Sequence, residues 1–442
     1  MIRMMTARTL GVFCLAGLIL LSGCSGGGSS DPAPVSTTSA VPPPISPPPV
    51  AAQPDMLTAT PHGLLRGKAN GQGQQLIFSR QNLHQPAFSG EVFLANSLVY
   101  YPRQAPSIIL DYPNQDIWSV RADGSQDHAV LNTTADEFVK DASGNVAIYE
   151  QNTYTLAQGL DHGDYGSLRD GATLTVLPIH ERFTQYRFMV GARAFFNNEQ
   201  QIFSTNVDGS GLSTHATVHF PVTLFTSAAF DGTIVYREYN ADNGSATLKT
   251  VPLSGGSPSS LDDGQSYVAY AGHVGERVVS HRCTIDASQI PSFSAGPCDV
   301  VSVNADGSGL MVLASDPANE AVQGIIGDQV IIRRNLGGND HLIAVPVAGG
   351  PEKFLMTMTD SEFIQFATSD RLIVRRPSGA WTLDLNGVLK QIGNVHPDSG
   401  FIVVGNAFCM NQGLSAWCMP LDGSGSAVQI APTGRILGVL SN

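Results

Sequence analysis

Few residues of this sequence stand at spacings suited to metal or acid–base chemistry. His215 and His219 lie four residues apart in a segment that alternates like a β-strand, which would put both rings on one face. Strand geometry separates them by about 13 Å, too far for one metal ion. Asp161 and Asp164 flank a third histidine and could bind a cation from a loop, although a solvated turn is the simpler interpretation. We therefore predict no catalytic residues, no metal site and no cofactor.

Motifs of common enzyme classes are also missing from the sequence. Its one Gly-x-Ser-x-Gly match, at residues 23–27, lies among consecutive glycines near the N-terminus and not between a strand and a helix, as a nucleophile elbow must. The sequence contains no phosphate-binding loop, dinucleotide-binding fingerprint or His-Glu-x-x-His zinc motif. Recurrent Asp-Gly-Ser segments lack the alternating acids and the final acidic residue of a calcium loop. Hairpin turns explain those segments fully.

The same turns recur at regular intervals and indicate the architecture. Eight turn glycines, spaced by 36 to 52 residues, lie in Asp-Gly, Asn-Gly or Gly-Gly pairs between apolar alternations: Gly124, Gly171, Gly209, Gly255, Gly307, Gly349, Gly387 and Gly423. Such pairs tolerate positive φ and mark tight hairpins. Short apolar strands give the same count, starting at Leu98, Val146, Ala194, Ile234, Val278, Val330, Leu372 and Phe408. A hairpin repeated about every forty residues is typical of a β-propeller.

We accordingly predict an all-β chain with a single propeller over residues 61–442, built from eight four-stranded blades with strands a to d. Seven blades remain an alternative because the unit around Gly171 matches the repeat least well. A β-solenoid or a pair of sandwiches is the competing architecture, but solenoid rungs are usually shorter and a sandwich needs no eightfold repeat. Segments 75–80 and 435–440 both resemble strands, and their pairing would seal the ring and hide the sheet edges.

The N-terminal segment has the composition of an export signal followed by a tether. Arg3 and Arg8 precede an apolar stretch, residues 10–21, that is too short to span a bilayer. The stretch ends in Leu-Ser-Gly-Cys at Cys24, which resembles a bacterial lipobox. That resemblance implies removal of a signal peptide at 1–23 and acylation, including palmitate, at Cys24. Ser25 after it resembles an outer-membrane sorting signal, while an ordinary signal peptide with a coincidental cysteine is the alternative.

Residues 24–60 are rich in Gly, Ser and Pro and are predicted to be a disordered, lipid-anchored linker. The chain would then be an outer-membrane lipoprotein whose propeller faces the periplasm or the cell surface. The formal net charge of −13 argues against nucleic acid and against direct adhesion to anionic lipid, so contact with the membrane would be through the anchor.

The remaining cysteines agree with an exported chain. Cys14 leaves with the signal, and Cys283, Cys298, Cys409 and Cys418 stay in the propeller. Each near pair spans one predicted b–c hairpin, so we predict the disulfides Cys283–Cys298 and Cys409–Cys418. A zinc site is the competing interpretation, but the spacings do not match paired Cys-x-x-Cys motifs.

The repeat resembles a known group of propellers. The runs 117–131, 202–212 and 301–313 are similar to the repeat of TolB-like propellers, and the resemblance covers about residues 90 to 431. It implies the fold, whereas functions within that group include periplasmic scaffolds, gating domains of peptidases and polysaccharide lyases. No functional residue is carried over from it.

Two functions therefore stay open. The first is a non-enzymatic binding or scaffold lipoprotein of the bacterial envelope that engages a protein or glycan. The alternative is a polysaccharide lyase or hydrolase with a site assembled from several blades. The b–c connections 102–116, 151–165 and 284–297 are long, so we expect that face to bind. Its candidate anchors are aromatic, although these rings could instead pack over their own blades: Tyr112, Tyr154, Tyr165 and Phe293.

Overall fold

A computed structural model describes residues 54–79, 92–105, 114–155, 159–179, 184–220, 222–262, 267–284, 297–315, 319–336, 339–396 and 399–440. Within these ranges the regular elements are β-strands, and no helix there is long and apolar enough to cross a membrane. The predicted all-β class is confirmed.

The described residues contain 36 strands. The first half of the chain carries β1 (Asp55–Thr60), β2 (Gly63–Lys68), β3 (Gln75–Ser79), β4 (Phe93–Ala95), β5 (Leu98–Ala105), β6 (Asn114–Arg121), β7 (His128–Leu131), β8 (Asp136–Ser143), β9 (Val146–Thr155), β10 (Gly159–Arg169), β11 (Thr173–Val176), β12 (Gln185–Val190), β13 (Arg193–Asn197), β14 (Gln201–Asn206), β15 (Ser213–Thr217), β16 (Val222–Phe230), β17 (Thr233–Asn240) and β18 (Ala246–Pro252). The second half carries β19 (Ser259–Ser260), β20 (Tyr267–Val274), β21 (Arg277–Cys283), β22 (Cys298–Asn304), β23 (Met311–Ala314), β24 (Glu320–Ile326), β25 (Gln329–Asn335), β26 (Asp340–Pro346), β27 (Lys353–Met358), β28 (Phe363–Ala367), β29 (Arg371–Arg376), β30 (Gly379–Asp384), β31 (Leu389–Gly393), β32 (Ser399–Val404), β33 (Ala407–Gln412), β34 (Ser415–Pro420), β35 (Val428–Ala431) and β36 (Arg435–Val439).

The described strands form eight sheets, seven of four strands and one of eight. From β4 onward, each run of four consecutive strands is one antiparallel blade, and we number these blades 1 to 8. Blades 4 and 5 share the eight-stranded sheet through a single parallel bridge between Ala246 and Tyr267. Each of the eight units expected from the turn glycines is therefore present. The weakly matching unit around Gly171 is blade 2.

The ring also contains a closure blade made from both ends of the array. Strand β36 pairs with β1 in a sheet of order β3-β2-β1-β36, which adds a four-stranded unit to the eight that the turns predict. Segments 75–80 and 435–440 do meet in one sheet, but β36 pairs with β1 and not with β3. The predicted domain boundary at 61 is wrong for the same reason. Strand β1, with Met56 and Leu57 buried, belongs to the propeller and not to the linker.

The hydrophobic core is divided among the seams between neighbouring blades. In the described residues, nine buried clusters each join two adjacent blades around the ring. Met56 packs with Ile430 of blade 8, and Leu57 packs with Val99 of blade 1, so the closure blade is covered on both sides. This closed arrangement excludes the solenoid and the pair of sandwiches.

Both predicted disulfides are present. Cys283 lies directly opposite Cys298 on β21 and β22, and Cys409 lies directly opposite Cys418 on β33 and β34. Each bond therefore joins strands b and c of one blade. The competing zinc interpretation is excluded for these four residues.

Removal of residues 435–442 should destabilise the propeller strongly. The truncation deletes β36, with buried Ile436, as well as buried Leu440. Burial of two such side chains contributes about 3–6 kcal/mol, and the pairing edge of β1 would also be exposed. Urea unfolding should show a loss of that order, and size-exclusion chromatography should show association through the new edge. A control that lacks only residues 441–442 should behave as the full chain, and equal stability of both truncations would contradict the closure.

Candidate functional site

Two of the four aromatic residues proposed as anchors cannot be placed. Cys24, Tyr112 and Phe293 lie outside the described residues. Tyr154 is on β9, paired with Leu160 of β10.

Tyr165 is a core residue, so its proposed role as an exposed anchor is wrong. It is 2% exposed, it packs edge-on against Phe196 of blade 3, and its hydroxyl donates a hydrogen bond to the Thr184 carbonyl at 3.0 Å. The ring packs in the seam between its own blade and blade 3. The sequence could not distinguish an exposed ring from a buried one because strand β10 begins earlier than expected.

The long connection predicted at 151–165 is a β-hairpin. Strands β9 and β10 remain paired from Val146 opposite Arg169 out to Thr155 opposite Gly159. We call residues 151–164 the blade 2 hairpin. In the same way β5 and β6 extend to Ala105 and from Asn114, and residues 285–296 lie outside the described ranges.

The weak metal candidates do not form sites. Strand β15 ends at Thr217, so His219 does not share a strand face with His215 as expected. His215 is buried, its Nε2 lies 2.7 Å from the Ser204 hydroxyl, and burial with the charge of Arg193 lowers its pKa to about 4. Asp161 and Asp164 lie on strand β10, not in a loop. Among the described residues, no group of three or more His, Cys, Asp or Glu could hold a metal ion.

Three buried carboxyl groups instead come together on the b–c face, and we call them the acid cluster. Asp116 is near the start of β6, strand c of blade 1, while Asp136 and Glu137 begin β8, strand a of blade 2. Their exposed fractions are 4%, 2% and 0%. Strands a and c begin at the b–c face of a blade, so the cluster lies at the base of the connections expected to bind.

Hydrogen bonds hold the cluster across the seam between blades 1 and 2. Asp136 Oδ1 accepts from the backbone N–H of Gln115 at 3.1 Å. Glu137 accepts a short hydrogen bond from the Thr133 hydroxyl, and Gln151 Nε2 lies 3.5 Å from the same carboxyl oxygen. These bonds fix one carboxyl oxygen of Asp136 and one of Glu137.

Several acceptors in and beside the cluster have no partner. Among the described residues no donor reaches four buried oxygen atoms: Gln115 Oε1, Asp116 Oδ1, Glu137 Oε2 and Asn152 Oδ1. Buried polar atoms are nearly always hydrogen-bonded, because an unpaired one has lost its water without replacement. An accumulation of unpaired acceptors therefore marks a place that lacks a donor.

Burial brings the pKa values of the cluster towards neutrality. Burial, reinforced by the charges of Asp116 and Asp136, raises the pKa of Glu137 to about 7, although the Thr133 hydrogen bond opposes the rise. The pKa of Asp136 rises to about 6, mainly through burial, with a smaller contribution from Glu150. Burial also raises the pKa of Asp116, against the pull of Arg103. Carboxyl groups with such values exchange protons near pH 7 and recur at functional sites.

Basic groups border the acids on the next seam. Lys140 on β8 forms an ion pair of 2.7 Å with Glu150 on β9. Arg187 on β12 of blade 3 donates to the Asn197 side chain, and burial lowers the pKa of this guanidinium. The polar region therefore spans three blades. Its acids are on blades 1 and 2, and its basic groups are Lys140 on blade 2 and Arg187 on blade 3.

Comparisons with known proteins give no family. No protein-family model and no curated protein matches the chain. A solved oligogalacturonate lyase in complex with manganese is 9% identical, with 79% of this chain and 98% of that chain covered and a TM-score of 0.42. The computationally designed Ika8 protein is 14% identical, with 80% and 98% covered and a TM-score of 0.40.

A post-proline cleaving enzyme from Rickettsia typhi is 10% identical, with 76% of this chain and 58% of that chain covered and a TM-score of 0.41. This chain thus spans little more than half the length of that enzyme. At these identities and scores the similarities carry no inference about what this chain binds or does.

Replacement of Glu137 by glutamine should change how stability depends on pH. Because its pKa rises from 4.5 to about 7 on folding, the folded protein keeps a proton that the unfolded chain releases. The contribution of this group is full below about pH 4.5 and is lost as the pH rises to about 7. Glu137→Gln removes that loss and should raise the free energy of unfolding at alkaline pH by on the order of 2 kcal/mol.

The measurement is urea unfolding of both proteins at about pH 4 and about pH 8. Glu137 changes its protonation state between these two pH values. The two curves should coincide at the lower pH, which serves as the internal control because both side chains are then neutral. A variant that is less stable than the wild type at the higher pH would contradict the described electrostatics.

Proposed function

We propose that this protein is a non-enzymatic binding lipoprotein of the bacterial cell envelope, and that its b–c face engages a protein or glycan. The observation that carries the proposal is the acid cluster with its unpaired acceptors at the base of the blade 2 hairpin. Strands β9 and β10 have 10 and 11 residues, about twice the usual strand length. Extra length on one face of a repeat array is typical of a binding surface.

The opposite face supports this choice because its recurrent Asp-Gly-Ser turns are hydrogen-bonded internally. In the Asp-Gly-Ser turns between strands c and d, each aspartate accepts from the backbone N–H of the serine two residues later, at 2.8–2.9 Å: Asp123, Asp208, Asp306 and Asp422. These bonds pair the aspartate with the serine amide within each of the four turns. Unsatisfied acceptors on one face and satisfied turns on the other favour binding at the b–c face.

The anchor is proposed from the sequence. The lipobox at Cys24 and the Gly, Ser and Pro-rich linker support lipid attachment at the outer membrane. The tether would hold the ring away from the bilayer. The proposed partner is therefore an envelope protein or glycan that reaches the periplasmic or external side of that membrane.

Shortening of the blade 2 hairpin should abolish partner capture without unfolding the ring. Asn152 and Gly163 are directly opposite each other, so residues 153–162 can be replaced by a two-residue Asn-Gly turn in register. The buried residues Ile148 and Leu168 stay in place, and the melting temperature should hardly change. Co-purification from envelope extract with mass spectrometry should recover the partner with the wild type only.

A second variant tests the rest of the face. It removes residues 285–296 and keeps the Cys283–Cys298 bond. Capture that survives both changes would show that the b–c face is not the binding surface.

Cys24→Ala should release the protein from the membrane or leave it unprocessed, because acyl chains supply the anchor. The measurement is fractionation of cells into membrane and soluble envelope material, followed by detection of the propeller. The matched control is Cys14→Ala, which changes a cysteine within the predicted signal and should leave fractionation unchanged. Membrane association of the Cys24 variant equal to that of the wild type would rule out the anchor.

A polysaccharide lyase or hydrolase is the second candidate, and one observation favours it. Carboxyl groups with pKa values near 6 and 7, as at Asp136 and Glu137, suit a general acid or base. Incubation of the purified protein with neutral and acidic polysaccharides distinguishes the two functions. New reducing ends that disappear in Glu137→Gln would establish the enzyme and overturn the binding proposal.

A further inference from the structure

An acid paired with an arginine recurs at one place in two blades. In blade 6, Glu320 at the start of strand a accepts from Arg334 Nε at 2.7 Å. In blade 7, Glu362 forms the equivalent pair with Arg376. Both acids are buried, each arginine follows its acid by 14 residues, and each acid lies two residues before a β-bulge in strand a. The pair seals the rim of the seam towards the preceding blade.

Blade 2 keeps the acid at this position but not the arginine. Glu137 lies two residues before the bulge of β8 and is directly opposite Gln151, which follows it by 14 residues. Gln151 is neutral, and its amide donates at 2.8 Å to Thr133 while it remains 3.5 Å from Glu137. A buried carboxylate without a counter-charge is unfavourable. Blade 2 therefore lacks the cation that blades 6 and 7 carry within the chain.

The groups around this position are acceptors that point to a missing donor. Gln115 shares a strand face with Ile117, which packs in the core of the seam between blades 1 and 2, and it is 4% exposed. Its Oε1, Asp116 Oδ1 and Glu137 Oε2 have no partner among the described residues. A guanidinium brings five N–H donors and an ammonium three, and both form strong hydrogen bonds with carboxylates.

A metal ion fits this position less well. The described acids, histidines and cysteines form no group of three that could hold one. The two blades that fill the position do so with a guanidinium, which is the ligand chemistry the fold itself uses there.

Entry to the position requires the strand ends to open, because Gln115 and Glu137 are almost fully buried. Asp136 and Glu137 are the first two residues of β8, and Asp116 is the third residue of β6. Strand ends open at a lower free energy than the middle of a sheet because few ladder hydrogen bonds break. The blade 2 hairpin rises from the same edge, so a ligand held by it would lie over the position.

We propose that the seam between blades 1 and 2 binds a cationic N–H group of the ligand, a guanidinium or a primary ammonium, at Glu137 and Gln115. This inference rests on the proposed binding function and names the chemistry of the ligand. The cation takes the place that Arg334 and Arg376 occupy in their blades. A basic side chain of a protein and an amino group of a glycan share this chemistry.

The test compares Gln151→Arg with the wild type. This substitution supplies the guanidinium from within the blade, as in blades 6 and 7, so it should raise the melting temperature and close the position to ligands. The matched control is Gln329→Arg, which adds the same charge at the other end of strand b in blade 6. Glu137→Gln is the second variant, and it removes the acid without adding bulk.

Binding is measured by titration calorimetry with argininamide, spermidine and a glucosamine tetramer. Citrulline amide and the N-acetylated tetramer serve as neutral counterparts. At least one cationic probe should bind the wild type and Gln329→Arg, and the neutral ones should not. Gln151→Arg and Glu137→Gln should each weaken binding by roughly tenfold or more, as expected for a lost hydrogen-bonded charge. The preferred probe identifies the source as a protein or a glycan.

Failure of this inference is separable from failure of the proposed function. Absence of binding by every cationic probe, or equal binding by wild type and Gln151→Arg, would overturn the cation position. If Gln151→Arg still captures the envelope partner and the variant with the shortened blade 2 hairpin does not, the binding function stands and the cation position is wrong. If both of these variants and the variant without residues 285–296 capture the partner, both proposals fail.

Discussion

The close approach of neighbouring blades is the constraint on which the rest of this structure depends. In six of the eight numbered blades, the glycine of the turn between strands c and d lies close to strand d of the blade before it. A Cβ atom at Gly124 would lie 1.8 Å from the Ile77 carbonyl oxygen, and one at Gly307 would lie 2.7 Å from that of Ser260. Both glycines also have positive φ. Glycine is therefore required twice at these turns, by backbone conformation and by the space in the seam.

That double requirement explains why the repeat was predictable from the sequence and the closure was not. The strand start predicted at Ile234 lies one residue from the observed start of β17 at Thr233, and both disulfides follow from the hairpins. The closure blade, in contrast, is divided between the two ends of the array. The connection between β1 and β2 passes through Pro61 and His62 without the Asp-Gly pair that marks other turns. A pairing between residues more than 370 positions apart, such as Met56 and Val439, leaves no local pattern.

The acid cluster was missed for a related reason. Asp116 and Glu137 are on different blades, and they meet only because strand c of one blade lies beside strand a of the next. The 14-residue spacing between acid and arginine is present in the sequence at Glu320 and Glu362, but it has meaning only once the strands are aligned by their bulges. The error at Tyr165 was the opposite one, because the sequence suggested a binding residue where the structure has a core residue. Tyr165 stands in a segment that reads as a loop, yet the strand continues through it and buries the ring.

Uneven use of one rim position argues that blade 2 carries function where blades 6 and 7 carry stability. Apolar packing ends near the b–c face, and there blades 6 and 7 finish the seam with an ion pair. Natural sequences usually pair their buried polar groups and pack their cores throughout the fold. Exceptions are concentrated at functional sites, where the rest of the fold compensates for the lost stability. The nine apolar seams stabilise the ring enough for it to tolerate one buried acid without a counter-charge at the rim of blade 2. The acid without an arginine, Glu137, lies at the base of the blade 2 hairpin, on the face whose connections vary most in length. The missing arginine and the long hairpin therefore indicate the same surface.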